Sequence, residues 1–458
     1  MIHPDRISGD SSGAAEAGGD HVLYWMQDAV RSTDNHALEY AIQRANDLKK
    51  PLRVVFSLHD RYPDATLRHY SFLADGLVDT AGCLEARGIR MQVLIGEPQQ
   101  TIPDESGDAA LLVCDGGPLQ VQRAWKEAVK ERVSCPVVGV ETGTIVPVRT
   151  ASPRAEWSAG TFRPKITRHL SSFLTPLSPR SLNHPSLGWD DGGIPLKDPR
   201  ELLSRISPDP AVPPVGRTGG ETAAERQFSW FLQERFSRYH DSRNDPTARA
   251  TSQMSAYLHF GQISPLTLAL RVLAVQIPGS ADVIEQMVVR RELAVNFVWY
   301  TPGCDQYLSA VPEWARKSLS RHQSDSREYL YSRAELEAGR THDPYWNAMQ
   351  TELVLTGSLH GYLRMYWGKK ILEWSPTPEE AFSTALYLNN RYQLDGRDPN
   401  GYAGVAWCFG RHDRPWKERP VFGMIRYMNA AGLKRKFRIE AYRERIELMA
   451  ARQKDEAG

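Results

Sequence analysis

The chain has 458 residues, of which 41% are hydrophobic and 24% are charged, and its formal net charge is +1. This length predicts two or more domains with a sizeable core, whereas no apolar run is long enough to cross a bilayer and residues 1–20 lack the apolar centre of a signal peptide. The five cysteines are scattered and form no CxxC pair, which favours a reducing, cytoplasmic compartment and argues against a zinc site.

The first 150 residues alternate short β-rich runs with helical patterns. Residues 1–20 are rich in Gly, Ser and Ala and are predicted to be disordered. The β-rich runs that follow are HVLYWM, PLRVVFSL, IRMQVLIG, AALLVCD and CPVVGVET. Their alternation with helical patterns predicts an α/β domain at residues 21–150, built on a doubly wound parallel sheet. No GxGxxG follows the first run, so a dinucleotide-binding Rossmann site is not indicated.

The chain changes character twice after residue 150. Residues 151–220 are rich in Pro, Ser and Gly and are predicted to form an interdomain linker. From residue 221 the pattern is helical, with a capping signal at its start. We therefore predict an all-α domain at residues 221–445 and a charged, frayed end at residues 446–458.

Residues 343–374 place three tryptophans among Tyr and Met, where an ordinary helical core would have Leu and Ile. Trp367 and Trp374 are seven residues apart and therefore share one face of a helix. Trp346 is predicted to lie on an earlier helix or loop that folds back against that face. Rings lined up in this way either pack a core or pass electrons from a buried redox cofactor toward solvent, because indole is oxidised more easily than any aliphatic side chain.

Several further segments are informative together because they occur in one order between about residues 21 and 440. They are VLYWMQDAVRSTDNHALEYAIQRAN, LRHYSFLADGL, RNDPT, YLHFGQIS, LRMYWGKKILEWS, LNNRYQLDGRDPNGYAGVAW and RPVFGMIRYMNAAGLKRKF. In these segments the chain resembles class II cyclobutane pyrimidine dimer photolyases, flavoenzymes that use light to repair ultraviolet damage in DNA. The resemblance implies FAD, fully reduced in its active form, in the helical domain, and an antenna pigment of deazaflavin or folate type in the first domain. The alternative is a flavin photoreceptor of cryptochrome type, which keeps the tryptophan chain but signals through a partner.

The resemblance also implies which residues bind the flavin. They are Tyr239, Thr251, Ser252, Gln253, Met254, Ser255, Arg364, Asn389, Asp395 and Asp398. The segment at 251–255 would hold the phosphates, although it also fits an ordinary helix N-cap. Asn389 would face the flavin N5 position, where a neutral amide can donate or accept a hydrogen bond, although it also fits a helix end. Arg364 and Asp395 would form a charged pair beside the ring.

Electron delivery to oxidised flavin would use Trp367 first, then Trp346, then Trp374 toward the surface. The resemblance implies that four residues contact the lesion: Arg243, Asn244, Met365 and Trp407. It also implies that Arg414 and Trp416 enter the gap that the flipped dimer leaves in the duplex. Flipping the dimer out of the stack brings it close to the flavin. The simpler readings are core packing for Met365 and Trp407 and a capped turn for Arg243 and Asn244.

The chain departs from the family where photolyases commonly have a glutamate in the dimer pocket. Gln286 stands at that position with Glu285 beside it, and a register shift of one would exchange them, so both stay open. A glutamine donates a hydrogen bond but no proton. Arg290 stands where some members have a tryptophan, and Met424 replaces an expected lysine.

A net charge of +1 is low for a DNA-binding protein, so the placement of the charges matters. Two basic runs stand out: Arg411, Arg414, Lys417 and Arg419, and then Lys434, Arg435, Lys436 and Arg438. Such runs are often only solvated faces, but the first is interleaved with tryptophans, which suits the binding of both phosphates and bases. We therefore expect a monomeric protein whose partner is ultraviolet-damaged DNA, with no metal and no membrane.

Overall fold

The computed structural model describes residues 2–9, 18–189, 194 and 196–457. The chain divides into two compact units. The first comprises Met1–Arg154, Arg163–Trp230 and Gln253–Glu292, and the second comprises Ala155–Phe162, Phe231–Ser252 and Leu293–Gly458. Within the described residues, no helix combines the length and the apolar character that a membrane span requires.

The first unit contains a six-stranded sheet. Its strands are β1 (Ile7–Ser8), β2 (His21–Met26), β3 (Leu52–Leu58), β4 (Arg90–Ile95), β5 (Ala109–Asp115) and β6 (Val137–Val140). Their order is β1-β6-β5-β2-β3-β4, with β2 to β6 parallel and β1 antiparallel to β6. The five β-rich runs of the sequence are these parallel strands, so the predicted doubly wound sheet is confirmed.

Helices lie between successive strands, as a parallel sheet requires. They are α1 (His36–Leu48), α2 (Leu67–Glu85), α3 (Pro98–Glu105) and α4 (Gln120–Lys130). Strand β2 shows how both faces are buried: Val22 and Tyr24 belong to one apolar cluster, whereas Leu23 and Trp25 belong to another. Successive side chains of a strand point to opposite faces, so these two clusters lie on the two sides of the sheet.

The prediction of a disordered tail is wrong for residues 2–9. Residues Pro4–Arg6 form a 3-10 helix, and β1 pairs with β6. The cause is Arg6, whose buried guanidinium donates hydrogen bonds to the carbonyl oxygens of Glu141 and Thr144, each over 3.0 Å. Composition does not reveal so specific an anchor. Residues 1 and 10–17 of the predicted tail lie outside the described residues.

The predicted linker at residues 151–220 contains short helices. These are α5 (Val148–Ala151), α6 (Ala159–Thr167), α7 (Leu170–Phe173) and α8 (Pro199–Leu203). Phe173 and Leu202 are buried, so the segment packs against other parts of the chain where apolar side chains recur among the prolines. Residues 190–193 and 195 lie outside the described residues.

The rest of the described chain is helical, which confirms the all-α character predicted for the C-terminal part. Its first helices are α9 (Glu221–Glu234), α10 (Tyr239–Ser242), α11 (Ser255–His259), α12 (Pro265–Val275), α13 (Pro278–Ile284), α14 (Arg291–Tyr300), α15 (Tyr307–Ala310) and α16 (Glu313–Arg321). They are followed by α17 (Arg333–Glu337), α18 (Pro344–Thr356), α19 (Gly361–Trp374), α20 (Pro378–Tyr392), α21 (Pro399–Cys408), α22 (Ala430–Lys436) and α23 (Ile439–Ala457). A π-helical turn, Glu285–Arg290, joins α13 to α14, and a 3-10 helix, Phe236–Arg238, precedes α10.

The predicted frayed end at residues 446–458 is also wrong, because α23 continues to Ala457. Ion pairs of Arg443 with Glu440 and Glu447 support the helix along its surface. Tyr442 and Ile446 are buried, and α23 packs on α18. Packing of one apolar face therefore outweighs the high charge of this segment.

Local sequence signals set the boundaries of three helices of the second unit. Helix α18 has Asp343 as its N-cap, and Oδ1 of Asp343 accepts hydrogen bonds from the backbone amides of Tyr345 (2.9 Å) and Trp346 (3.2 Å). Its C-cap is Gly357, with φ +65°. Helix α21 begins at Asp398 in the same manner. A proline occupies the first helical position of α18, α20 and α21, as its fixed φ favours.

Candidate functional site

Three tryptophan rings contact one another in a row inside the second unit. Trp367 of α19 and Trp346 of α18 are parallel within 2°, with their ring centroids 6.4 Å apart. Trp346 also meets Trp374, at the end of α19, edge to face over 5.7 Å. The structure therefore brings together the three rings that the sequence proposed, with Trp346 in the middle.

Hydrogen bonds hold these rings in place. The indole N–H of Trp346 donates to the carbonyl oxygen of Trp367 over 3.0 Å. That of Trp367 donates to Oε1 of Gln350 over 2.9 Å, and Gln350 in turn donates to the carbonyl oxygen of Glu337 over 3.1 Å. Sequence reasoning missed Gln350, although a polar side chain one turn after Trp346 in a largely apolar helix was a usable signal.

Trp374 was expected to lead toward the surface, but its own side chain is only 2% exposed. Its neighbours on that side are Tyr331 and His342, whose ring centroids lie 5.5 and 5.2 Å away. The ammonium group of Lys370 lies 5.6 Å from the Trp374 ring. Other side chains therefore separate Trp374 from solvent.

Arg364, one turn before Trp367 on α19, forms an ion pair with Asp395, which follows α20. Nη2 of Arg364 lies 2.9 Å from each carboxylate oxygen of Asp395, and its Nε donates to the carbonyl oxygen of Leu359 over 2.8 Å. Asp395 is buried and Arg364 is half-buried. Because residues three apart share a helix face, this pair and Trp367 face the same side of α19.

Asn389 has the environment that a polar atom of a buried cofactor ring needs. Its side chain on α20 is 4% exposed, accepts a hydrogen bond from Nε2 of Gln393 (2.9 Å) and donates one to Oδ1 of Asn390 (3.1 Å). An amide nitrogen carries two hydrogens, so these bonds leave one donor for another acceptor. A Cβ placed on Gly401 would come within 3.0 Å of the same nitrogen, so the glycine keeps this approach open. Asn389 and Gly401 therefore fit a hydrogen bond between the Asn389 amide and a nitrogen atom of a flavin ring.

The predicted phosphate-binding residues are divided between the two units. Tyr239 is buried in the second unit, with its ring edge to face with Phe231 at 5.8 Å. Thr251 and Ser252 are half-buried and also belong to the second unit. Gln253, Met254 and Ser255 belong to the first unit, with Met254 buried and Ser255 opening α11.

Asp398, the last predicted flavin contact, has a clear structural role as the N-cap of α21. Its Oδ1 accepts hydrogen bonds from the backbone amide of Asn400 (2.7 Å) and from its side chain (2.9 Å). A contact between Asp398 and the flavin stays a prediction.

Two of the predicted lesion contacts are joined to the start of α19. The carbonyl oxygen of Arg243 accepts a hydrogen bond from Nε2 of His360 over 2.9 Å, and His360 caps the helix that carries Met365. Met365, Arg243 and Trp407 are half-buried, whereas Asn244 is exposed. These degrees of exposure suit contact with a bound molecule better than a closed core.

Arg414 and Trp416 lie together on an exposed loop. The guanidinium of Arg414 stands 5.1 Å from the centre of the Trp416 ring, and that of Arg426 stands 5.0 Å from it. Arg411, by contrast, points inward and donates to the carbonyl oxygens of Ala310 (2.6 Å) and Ser309 (2.9 Å). Burial lowers the pKa of Arg411 to about 10. Arg411 therefore supports the loop, whereas Arg414, Lys417 and Arg419 of the same run are exposed.

Glu285 and Gln286 lie on the π-helical turn of the first unit. The Glu285 carboxylate accepts hydrogen bonds from Arg163 over 2.9 and 2.7 Å and from Arg290 over 3.2 Å. These partners, Arg163 first, lower the pKa of Glu285, so its carboxylate stays ionised at neutral pH. The Gln286 side chain is exposed.

Comparison with known proteins shows the family to which this chain belongs. The family model described as DNA photolyase matches residues 22–183. A deoxyribodipyrimidine photo-lyase from Methanothermobacter thermautotrophicus is 50% identical over 97% of this chain and 99% of its own length, and one from Arabidopsis thaliana is 42% identical over 92% and 88%. The crystal structure of a class III photolyase from Agrobacterium tumefaciens shares the fold, with a TM-score of 0.72 at 19% identity over 93% of this chain and 86% of that chain. Because such identity extends over nearly the whole chain, the protein belongs to the DNA photolyase family.

Proposed function

We propose that the protein is a class II photolyase that binds FAD and repairs cyclobutane pyrimidine dimers in ultraviolet-damaged DNA under light. The observation that carries the proposal is the row of contacting rings Trp367, Trp346 and Trp374 on α18 and α19, together with the ion pair that Arg364 of α19 forms with Asp395. The curated relatives at 50% and 42% identity are both named deoxyribodipyrimidine photo-lyase, which supports repair over the photoreceptor alternative. The proposal includes a monomeric, intracellular enzyme with an antenna pigment of deazaflavin or folate type in its first domain.

FAD bound in this unit would supply light-driven one-electron chemistry, the kind of redox change that splitting a pyrimidine dimer requires. The protein residues prepare this chemistry. Asn389 offers its unused amide N–H to the ring, while Arg364 and Asp395 place a balanced pair of charges beside it, where local charge sets the potential. The hydroxyls of Thr251, Ser252 and Ser255 and the phenol of Tyr239 are the proposed phosphate contacts.

The lesion residues hold the dimer outside the duplex. Trp407 supplies an aromatic wall on which the flipped bases stack, and Met365 supplies a soft apolar contact. Arg243 and Asn244 donate hydrogen bonds to the polar edges of the bases. Arg414 and Trp416, exposed on one loop, enter the space that the dimer leaves.

In the proposed reaction, neither Gln286 nor Glu285 donates a proton to the dimer. Gln286 has no acidic hydrogen, and Glu285 is held ionised by Arg163 and Arg290. Repair therefore proceeds with hydrogen bonding to the dimer and without proton donation from this turn.

The variant Trp367→Phe tests the proposal, because it removes the first indole and keeps an aromatic ring. We expect it to lose photoreduction of the oxidised cofactor and to keep dimer repair once the cofactor is reduced chemically. Trp25→Phe is the control, because Trp25 is equally buried but lies in β2 of the first unit. Normal photoreduction by Trp367→Phe would refute the electron route, and absence of repair by the chemically reduced parent protein would refute the function.

A further inference from the structure

The loop at residues 411–424, here called the gap loop after its proposed role, folds back on itself as a short hairpin. The backbone amide of Trp416 donates a hydrogen bond to the carbonyl oxygen of Met424 over 2.9 Å. Residues 414–420 are exposed, whereas residues 421–423 are buried. The exposed tip of the loop therefore takes its position from the buried segment that returns to the core.

The C-terminal end of α16 holds this returning segment. Oγ of Ser318, which is buried on that helix, accepts a hydrogen bond from the backbone amide of Met424 over 2.8 Å. His322, the C-cap of α16, packs on the loop backbone, because a Cβ on Gly423 would lie 3.1 Å from Cδ2 of its ring. The φ of Gly423 is +49°, a left-handed conformation that glycine adopts without strain. The gap loop therefore rests directly on His322.

The ring of His322 lies between two carboxylates. Its Nδ1 is 2.7 Å from Oδ2 of Asp325, and its Nε2 is 3.1 Å from Oε1 of Glu418, an exposed residue of the gap loop. Oδ2 of Asp325 also accepts a hydrogen bond from the backbone amide of Val421 over 2.8 Å. A neutral imidazole carries one N–H and can donate to one carboxylate, whereas the protonated ring donates to both. The geometry therefore fits the protonated ring.

We propose that His322 is a positioning residue for the gap loop, and that its protonated form favours binding of the damaged duplex. This inference rests on the proposed function, which brings the loop to the duplex. Protonated His322 holds Glu418 against α16 and neutralises a carboxylate that stands between Lys417 and Arg419 in the chain. Loss of the proton releases this contact, and the carboxylate then repels the phosphates that the basic side chains attract.

The other charges near the ring leave the direction of this effect unchanged. Arg321 lies 3.5 Å from Oε1 of Glu418 and offsets part of its charge whether or not His322 is protonated. Arg327 acts in the same way on Asp325. The hydrogen bonds with Asp325, and then with Glu418, raise the pKa of His322 above its usual 6.5. The contact with Glu418 is therefore fully present below pH 6.5 and is lost as the pH rises through the raised pKa.

The affinity of the full chain for a duplex with one thymine dimer, measured by fluorescence anisotropy between about pH 6 and pH 9 at low salt, tests the inference. We expect the Kd of the parent protein to rise about threefold over this range, as loss of one exposed charge pair predicts. His322→Gln keeps a donor but takes up no proton, so it should bind at every pH as weakly as the parent does at high pH. Glu418→Gln removes the carboxylate, so it should bind at every pH at least as tightly as the parent does at low pH.

His184→Gln is the matched control, because His184 is an exposed histidine of the first unit, and it should keep the pH dependence of the parent. Nuclear magnetic resonance titration of the histidine rings gives the pKa of His322 directly, since its signal is the one that His322→Gln lacks. Thermal unfolding of each variant verifies that it is folded.

The failure of this inference differs from the failure of the proposed function. A pH dependence that His322→Gln retains, or a His322 pKa below 6.5, overturns the inference and leaves the proposed function standing. A parent protein that binds damaged and undamaged duplexes equally at every pH overturns both.

Discussion

Among single residues, Trp407 gives the sharpest test of the proposed lesion pocket. Its half-buried side chain lies on α21, the helix that begins four residues after Asp395. Stacking of a base on an aromatic side chain contributes about 1–3 kcal/mol. Trp407→Ala should therefore weaken binding of a dimer-containing oligonucleotide by that amount and leave binding of undamaged DNA nearly unchanged.

The control for Trp407→Ala is Trp230→Ala, since Trp230 is also partly exposed but lies on α9, outside the predicted pocket. Fluorescence titration with damaged and undamaged duplexes measures both affinities. Equal affinity of Trp407→Ala and the parent for the damaged duplex would remove Trp407 from the pocket.

Lys369 gives a prediction about pH. It is buried on α19, donates to the carbonyl oxygen of Cys408 over 2.5 Å, and burial lowers its pKa from 10.5 to about 8. Between pH 8 and 10.5 the unfolded chain keeps this proton and the folded protein does not, so stability gains with rising pH in that window. Over the whole window the gain from this group is about 3 kcal/mol.

Lys369→Met removes the titration and keeps the length of the side chain. The free energy of unfolding of the parent relative to this variant should therefore rise as the pH increases from 8 to 10.5. Denaturant unfolding of both proteins across that range measures the difference. A difference that stays constant with pH would show that Lys369 is not held with a lowered pKa.

At the scale of elements, the close approach of α19 and α21 depends on a glycine. A Cβ on Gly368 would lie 2.6 Å from Sγ of Cys408, which is shorter than any normal contact. Gly368→Ala should therefore force the two helices apart and destabilise the protein by about 1–3 kcal/mol, although alanine is the better helix former.

Gly404→Ala is the matched control, because Gly404 lies inside α21 and a Cβ there meets no neighbouring atom within 4 Å. It should stabilise the protein by up to about 1 kcal/mol. Equal effects of the two substitutions on the midpoint of thermal unfolding would show that the helices do not meet at Gly368.

Some elements could be predicted from the sequence and others could not. The strands of the sheet were predictable because buried parallel strands read as continuous apolar runs. The π-helical turn at Glu285–Arg290 was not, because it alters the regular spacing by which helix faces are assigned. The ambiguity between Glu285 and Gln286 arises there, and the ion pairs of Glu285 with Arg163 depend on contacts far away in sequence.

At the scale of the whole molecule, the sequence predicted the succession of an α/β part and a helical part, and the structure confirms that class of fold. The tail at residues 2–9 and the end of α23 were mispredicted because composition was read without the packing that orders them. The parallel stack of Trp367 on Trp346 likewise needed the structure, since spacing within one helix cannot give the distance to another.

The central claim is that this chain repairs pyrimidine dimers with light. The most direct test mixes the anaerobic, chemically reduced protein with an oligonucleotide that contains one thymine dimer and follows thymine absorbance under blue light and in darkness. We predict restored absorbance in the light only, which would also show that Gln286 beside an ionised Glu285 suffices for repair. No restoration in the light, by protein with bound flavin and normal photoreduction, would contradict the account and favour a photoreceptor.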